Sequence, residues 1–167
     1  MDCISDGYRN SGVKLRLVAV GTRMPDWVSA GFAEYARRLP RTMPLQLCEV
    51  PAANRRNQGL AQIRAAEAAK LLAQVGGDDW VVALDVEGKT CSTEKLAEKL
   101  DGWRMRGSDV TFLVGGADGL AEDCLTRANE TISLSAFTFP HALVRVILAE
   151  QLYRAWTLLT SHPYHRA

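Results

Sequence analysis

The sequence predicts an α/β fold with a mainly parallel sheet and helices on both of its faces. Two observations lead to this prediction. Short apolar runs alternate along the chain with longer segments in which apolar residues recur at helical spacing. Glycine, proline or helix-capping residues stand at the boundaries between these segments. Regular alternation of strands and helices is typical of a parallel sheet, because each crossover between parallel strands needs a long connection.

Five segments are predicted as strands. The first runs over 13–20 and alternates before it becomes uniformly apolar, and 45–50 alternates at period two. Segments 80–85 and 110–114 are apolar runs bounded by turn residues, which is typical of central strands. A short fifth strand is predicted over 131–134.

Helices are predicted between the strands, over about 25–39, 60–74, 93–106 and 121–128, and from Pro140 onwards. Pro140 is predicted at the first helical position, which proline favours. The last helix is expected to present one apolar face, with Glu150 and Arg154 as an i,i+4 pair on the other side. That face consists of Leu143, Val144, Ile147, Leu148, Leu152, Ala155, Trp156 and Leu159.

Length and composition indicate a single globular domain. The chain has 167 residues, of which 47% are hydrophobic and 23% charged. Residues 1–13 are polar and without periodicity, so they are predicted as a disordered leader before one domain over 14–167. The formal net charge is +1, which excludes a strong global attraction to nucleic acid. Any contact with RNA must therefore depend on local basic groups.

The four cysteines are far apart and form no metal-ligand spacing, which favours reduced thiols. No apolar run approaches the ~18 residues of a membrane span, and the N-terminus lacks the apolar core of a signal peptide. These features predict a cytoplasmic protein without a membrane partner.

Glycines follow three of the predicted strands, at Gly21, Gly88 and Gly115-Gly116. Ligands bind beyond the carboxyl ends of strands in open parallel sheets. An ordinary strand-to-helix turn also explains one glycine, but two adjacent glycines followed by Gly119 exceed what a turn requires. The sequence contains no dinucleotide, nucleoside triphosphate or α/β-hydrolase fingerprint, so those site types are disfavoured.

The segment from Ser135 to Pro140 places two phenylalanines among small residues before a helix. One interpretation is a buried extension of the strand. The other is a loop whose backbone binds the edge of a flat ring while apolar side chains flank it. His141 follows at the helix N-terminus, which favours a neutral imidazole, although a merely packed or solvated histidine is the alternative.

The C-terminal tail carries His162, Tyr164, His165 and Arg166. Tyrosine can stack on a base and arginine can pair with phosphate, whereas the alternative is a frayed polar tail. The histidine spacing lacks a third ligand, so no metal site is predicted. Local arginine groups, Arg37 with Arg38 and Arg41, Arg55 with Arg56, and Arg104 with Arg106, are either solvated faces or a phosphate-binding stripe.

The combined motifs closely resemble the RlmH family, the large-subunit ribosomal RNA methyltransferases of the SPOUT superfamily. The resemblance spans Lys14 to Ala167. The segments that carry it are 18–22, 24–28, 31–35, 113–116, 119–120, 133–136, 140–146, 150–156 and 162–166.

The resemblance implies a C-terminal trefoil knot and a homodimer that binds S-adenosylmethionine. It implies methylation at N3 of pseudouridine 1915 in 23S rRNA within assembled 70S ribosomes. Cofactor-binding residues are expected at Leu84, Gly115, Gly116, Ser135, Ala136, Phe137, Thr138, Phe139 and Pro140. Ala117-Asp118 and the two phenylalanines depart from the usual family pattern.

The target N3–H must lose its proton during methylation, which calls for a base or a charge stabiliser nearby. His141, Tyr164 and His165 are the candidates for this role. Arg145, Arg154 or Arg166 would offset developing charge. Each site is expected to draw on both chains of a dimer. The alternatives are a non-catalytic ribosome- or RNA-binding factor of the same fold and, less favoured, a nucleotide-dependent oxidoreductase.

Overall fold

A computed structural model of the protein describes residues 12–166. The strands are β1 (Leu15–Val20), β2 (Leu45–Val50), β3 (Trp80–Thr90), β4 (Val110–Val114) and β5 (Glu130–Ser133). The helices are α1 (Asp26–Ala36), α2 (Leu60–Leu72), α3 (Thr93–Arg106), α4 (Glu122–Arg127) and α5 (His141–Leu159), followed by a 3-10 turn over Pro163–Arg166. The predicted order of elements is confirmed.

All five strands lie in one sheet in the order β2-β1-β4-β3-β5, and every pairing is parallel. Leu17 of β1 pairs with Leu47 on one side and Phe112 on the other. Since the connections between parallel strands cross the faces of the sheet, helices must cover both of them. The predicted α/β class with a parallel sheet and helices on both faces is confirmed, while the knot stays a prediction of the resemblance.

Two hydrophobic clusters fix the helices on the two faces. On one face, Leu17 and Phe112 of the sheet pack with Trp103 of α3 and Leu148 of α5. On the other, Val18 and Leu113 pack with Leu71 of α2 and Cys124 of α4. Alternate residues of β1 and β4 point to opposite faces, so each strand supplies both clusters. Helix α5 lies between α1 and α3 on the first face.

Three features of β3 and α5 differ from prediction. Strand β3 continues to Thr90 because its polar end pairs with β5, with Lys89 opposite Ile132 and Thr90 opposite Ser133. Pro140 is the N-cap of α5 and not its first helical residue, with an extended ψ of 139°. The prediction that α5 has one buried apolar face and one polar face is incomplete. Arg145, Tyr153 and Thr157 are buried along with its apolar residues. The flanking helices α1 and α3 explain this, because they cover α5 on both sides.

The predicted leader, residues 1–13, lies outside the described residues except for Gly12 and Val13. Val13 is buried in the core, at 4% exposure. The three cysteines of the described range form no disulfide with one another. None of the helices in residues 12–166 combines the length and apolar character that a membrane crossing requires. The same range brings no three histidine, cysteine or acidic side chains together as a metal site.

Candidate functional site

An apolar cavity lies at the carboxyl ends of β4 and β5, beside Leu84–Val86 of β3, where the pairing of β3 with β5 is interrupted. It encloses about 140 Å³ and adjoins a wider, more polar cleft of about 930 Å³. Gly116, Phe139 and His141 line both spaces. The position agrees with the general rule that ligands bind beyond the carboxyl ends of parallel strands. The apolar cavity and the more polar cleft therefore meet at the same place on the sheet.

The segment after β4, from Gly115 to Gly119, forms one wall of the cavity, which we call the glycine wall. At Gly115 the backbone is packed too closely for a side chain. A Cβ added to Gly115 would lie 2.5 Å from the carbonyl carbon and oxygen of Gly119. Gly119 has a φ of +79°, and its N–H donates to the carbonyl of Gly116 over 3.1 Å. Glycine adopts this left-handed conformation without the strain that a Cβ would cause. This close packing of the chain on itself explains the glycine at 115, and the approach of a ligand to the segment stays a prediction.

The loop from Ser135 to Phe139 forms the facing wall. The backbone N–H of Phe137 donates to Ser135 Oγ over 3.0 Å, and Ser133 Oγ donates to the carbonyl of Ser135. Phe137 is 78% exposed at the cavity, whereas Phe139 is half-buried. Since β5 ends at Ser133, the segment is a loop and not a buried extension of the strand.

Most predicted cofactor residues come together at this site. Leu84, Gly115, Gly116, Ser135, Phe137 and Phe139 line the apolar cavity. Thr138 and Pro140 line the wider cleft, while Ala136 is exposed and borders neither space.

The sequence prediction missed several lining residues. The apolar cavity is also lined by Asp85, Val86, Val114, Gly119, Ile132, Ser133, Leu134 and Val144. Most of these directly flank predicted residues along the chain. Extending each predicted segment by a few residues would have included them, but no motif marks them separately.

His141 and Arg145 lie one turn apart at the start of α5 and have different surroundings. His141 borders both spaces. The Arg145 side chain is 1% exposed and forms an ion pair with Glu49. It also donates to the carbonyls of Val20 (3.0 Å) and Gly21 (2.7 Å). Arg145 thus holds the carboxyl end of β1 beside the site, which favours an indirect role over contact with reacting groups.

The tail packs against the distal half of α5. The Tyr164 hydroxyl donates to Glu150 Oε1 over 3.1 Å, and its ring lies 4.7 Å from that of Tyr153. The Arg154 guanidinium lies 5.0 Å from the same ring. Burial, a hydrogen bond with Tyr35 and the nearby Glu150 carboxylate raise the pKa of Tyr164 to about 12. The phenol is therefore a hydrogen-bond donor at neutral pH, not a ready base.

A single chain does not bring the five predicted catalytic residues together. Glu150, which holds Tyr164, comes nine residues after His141 on α5. At a helical rise of about 1.5 Å per residue, their backbones are about 14 Å apart along the axis. Tyr164, His165 and Arg166 border neither the cavity nor the cleft. His141 and the tail thus form two separate groups in one chain.

A second layer of side chains supports the glycine wall from α2 and the loop before it. Arg64 Nε donates to the carbonyl of Asp118 over 2.7 Å, and Arg55 pairs with the Asp118 carboxylate at 2.7 Å. Glu67 lies behind Gly116 and is 4% exposed. The sequence carried a signal for Glu67, because it falls between Ile63 and Leu71 on the apolar stripe of α2.

Comparisons with known proteins identify relatives along nearly the whole described chain. The family model described as "Predicted SPOUT methyltransferase" matches residues 13–165. A protein of Methylococcus capsulatus named "Ribosomal RNA large subunit methyltransferase H" is 56% identical over 155 residues, covering 92% of this chain and 100% of that protein. A protein of Hahella chejuensis with the same name is 52% identical, with coverage of 92% and 99%.

A solved structure supports the fold. The structure of a "probable methylase family protein" from Haemophilus influenzae Rd KW20 superimposes with a TM-score of 0.55. It shares 14% identity and covers 90% of this chain and 69% of its own. At this identity the likeness concerns the fold alone. The family match and the two close relatives carry the assignment: the chain belongs to the SPOUT methyltransferase family.

Proposed function

We propose that the protein transfers a methyl group from S-adenosylmethionine to ribosomal RNA of the large subunit. The observation that carries this proposal is the cavity beside Leu84–Val86 of β3 and at the ends of β4 and β5, between the glycine wall and the 135–139 loop. The proposal is further supported by two relatives more than half identical whose names describe methylation of large-subunit ribosomal RNA.

The residues of the site fit such a cofactor. Leu84, Ile132 and Phe139 offer apolar surface to an adenine ring, while the side-chain-free wall at Gly115 leaves its backbone accessible. The adjoining cleft provides room that the 140 Å³ cavity alone lacks. Apolar lining with a few placed polar groups is typical of small-molecule sites. When bound, the cofactor supplies a methyl group on a positively charged sulfur.

The chain must position the target nitrogen and accept or release its proton. His141 is the candidate in the cleft for holding that proton. Tyr164, whose hydroxyl proton is bonded to Glu150, would stack its ring on the target base. His165 and Arg166 would contact the RNA, and Arg145 would keep the end of β1 and the cleft in place. Alignment of the reacting atoms and exclusion of water supply the remaining acceleration.

The separation of His141 from the tail supports a homodimeric site. In one chain, the tail contacts α5 about 14 Å along the helix from His141. A second copy offers a geometry in which the tail of one chain approaches the cleft of the other. Trp27, 58% exposed, and Phe137 are large apolar side chains that such an interface would cover. Each dimer would then contain two equivalent composite sites.

The finer target we propose is N3 of pseudouridine 1915 in 23S rRNA, presented by the assembled 70S ribosome in the cytoplasm. A net charge of +1 gives little long-range attraction, so recognition depends on local groups and on the shape of the ribosome. Arg37, Arg38 and Arg41 near the end of α1 are exposed, and phosphate contacts of Arg37 and Arg38 would compete with their ion pairs to Glu34.

A methyl-transfer assay tests the proposal. Purified protein, S-adenosylmethionine labelled in the methyl group and 70S ribosomes from a strain without the endogenous activity are incubated, and the modified nucleotide is mapped. We expect one labelled pseudouridine, and no label on ribosomes that carry uridine at that position. Binding of the protein to ribosomes without cofactor binding or methyl transfer would instead support a non-catalytic RNA-binding factor.

A further inference from the structure

Glu67 is a buried carboxylate that forms no ion pair in the described part of the chain. Its side chain is on the buried face of α2, and Oε1 accepts a hydrogen bond from the backbone N–H of Ala53 over 3.2 Å. Its other oxygen, Oε2, is buried and has no hydrogen-bond partner. Within residues 12–166, no basic side chain forms an ion pair with Glu67 at 4 Å or less.

The unpartnered oxygen lies against the wall of the cavity. A Cβ added to Gly116 would lie 3.0 Å from Glu67 Oε2, so the carboxylate lies against Gly116. Gly116 is one of the residues that line both the cavity and the cleft. The neighbouring arginines do not contact it, since Arg55 pairs with the Asp118 carboxylate, Arg64 donates to the Asp118 carbonyl, and neither forms an ion pair with Glu67. Only one glycine therefore separates this charge from a ligand in the cavity.

A buried charge is unfavourable unless an opposite charge lies close by. The proposed cofactor carries such a charge on its sulfur, and methyl transfer removes it. The carbon–sulfur bond breaks with its electron pair remaining on sulfur, a carbon–nitrogen bond forms at the target, and the N3 proton passes to a base. The product, S-adenosylhomocysteine, has a neutral thioether at the same position.

We propose that Glu67 is an electrostatic positioning residue that acts through Gly116 and makes the cavity prefer the cationic cofactor over its neutral product. This inference depends on the proposed function, since it requires that the cavity binds S-adenosylmethionine. The same preference would assist turnover, because loss of the charge on sulfur weakens the attraction that holds the product.

The expected size follows from charge separation. In a medium with an effective dielectric constant of about 20, opposite unit charges as far as about 12 Å apart still attract strongly enough to change affinity about tenfold. The open cleft admits water and salt, which reduce this effect. We expect Glu67 to contribute roughly a tenfold preference, or about 1.4 kcal/mol.

Calorimetric titration of the full chain measures the preference directly. Glu67→Gln removes the charge and keeps an acceptor for Ala53, and exposed Glu94→Gln on α3 is the matched control that removes one solvated carboxylate. Three ligands are titrated: S-adenosylmethionine, S-adenosylhomocysteine and sinefungin, an analogue with a charged amine beside the methyl position. Glu67→Met is a second variant for the case that the glutamine does not fold, since an apolar side chain tolerates burial there.

For both Glu67 variants we expect about tenfold weaker binding of the two cationic ligands and unchanged binding of S-adenosylhomocysteine, with no change in Glu94→Gln. An equal loss for all three ligands would show a merely structural role and overturn the inference, as would unaltered affinities. If the wild-type protein binds none of the ligands, the proposed function itself fails, and the inference fails with it.

Discussion

Replacing Gly115 with alanine should damage both the fold and the cofactor site. The added Cβ would lie 2.5 Å from the carbonyl carbon and oxygen of Gly119 and 2.8 Å from the backbone nitrogen of Leu120. Ordinary van der Waals contact begins at 3.4 Å, so the 119–120 backbone would have to retreat by about 0.9 Å. All of the obstructing atoms belong to the backbone, so a change of rotamer gives no relief.

The size of the loss can be estimated from the overpacking of other protein interiors, which costs about 1–3 kcal/mol per substitution. Gly115 also supports the contact in which Gly119 donates to Gly116, so we expect a loss of about 2–3 kcal/mol for Gly115→Ala. A loss of that size is a substantial fraction of the ~5–15 kcal/mol that stabilises a typical domain. Affinity for S-adenosylmethionine should fall at least roughly tenfold, since a shift of 0.9 Å displaces the cavity wall.

Urea unfolding and calorimetric titration provide the two readouts. Gly102→Ala is the matched control, because Gly102 is exposed within α3 and an added Cβ meets nothing within 4 Å. Alanine in a helix interior should raise stability by about 0.5–1 kcal/mol and leave affinity unchanged. Wild-type stability and affinity in Gly115→Ala would show that the packing of the glycine wall does not define the site.

Three further predictions concern Arg145, the tail and the dimer. Arg145→Met should lower the free energy of unfolding by roughly 2–4 kcal/mol in urea titrations, because Val20, Gly21 and Glu49 lose their shared donor; a loss below the experimental error would contradict this anchoring role. Tyr164 has a folded-state pKa of about 12 against a usual value near 10, so its contribution to stability is complete below pH 10 and is lost as the pH rises towards 12. Tyr164→Phe should flatten this alkaline decline in unfolding free energy. A decline as steep as that of the wild-type protein would contradict the raised pKa of the Tyr164 hydroxyl. A randomly reassociated equimolar mixture of a cavity variant, Phe139→Asp, and a tail variant, His165→Ala, should recover roughly a quarter of wild-type methyl transfer if each site uses both chains, since about half of the dimers are mixed and each mixed dimer has one intact site of two; it should recover none if each chain is self-sufficient.

Local patterns predicted the framework because most elements depend on their own residues. Strands β2 and β4 begin and end where hydropathy places them, and α3 covers the predicted 93–106, with Ser92 and Gly107 as its caps, residue types that favour those positions. The polar end of β3 was not predictable in this way. It is a strand only because Ile132, more than 40 residues away, pairs beside Lys89.

The site was predicted less completely, for a similar reason. Glycine pairs and aromatic loops mark the cavity walls. Helical spacing puts Arg145 in line with Leu148 and Leu152 on the apolar stripe of α5, but it does not reveal the groups that its guanidinium binds. Those groups are two carbonyl acceptors at the end of β1, which no local pattern brings next to α5. The distance between His141 and the tail depends on how the 3-10 turn folds back onto Tyr153 and Glu150, a contact without a local sequence signal.

The central claim is that the cavity beside Leu84–Val86 of β3 and at the ends of β4 and β5 holds the cofactor. A crystal structure of the protein with bound sinefungin tests this most directly. The account predicts nucleoside density between Gly115-Gly116 and the 135–139 loop, with the adenine against Leu84 and Phe139. Density for the ligand at any other place on the chain, with this cavity filled only by water, would contradict it.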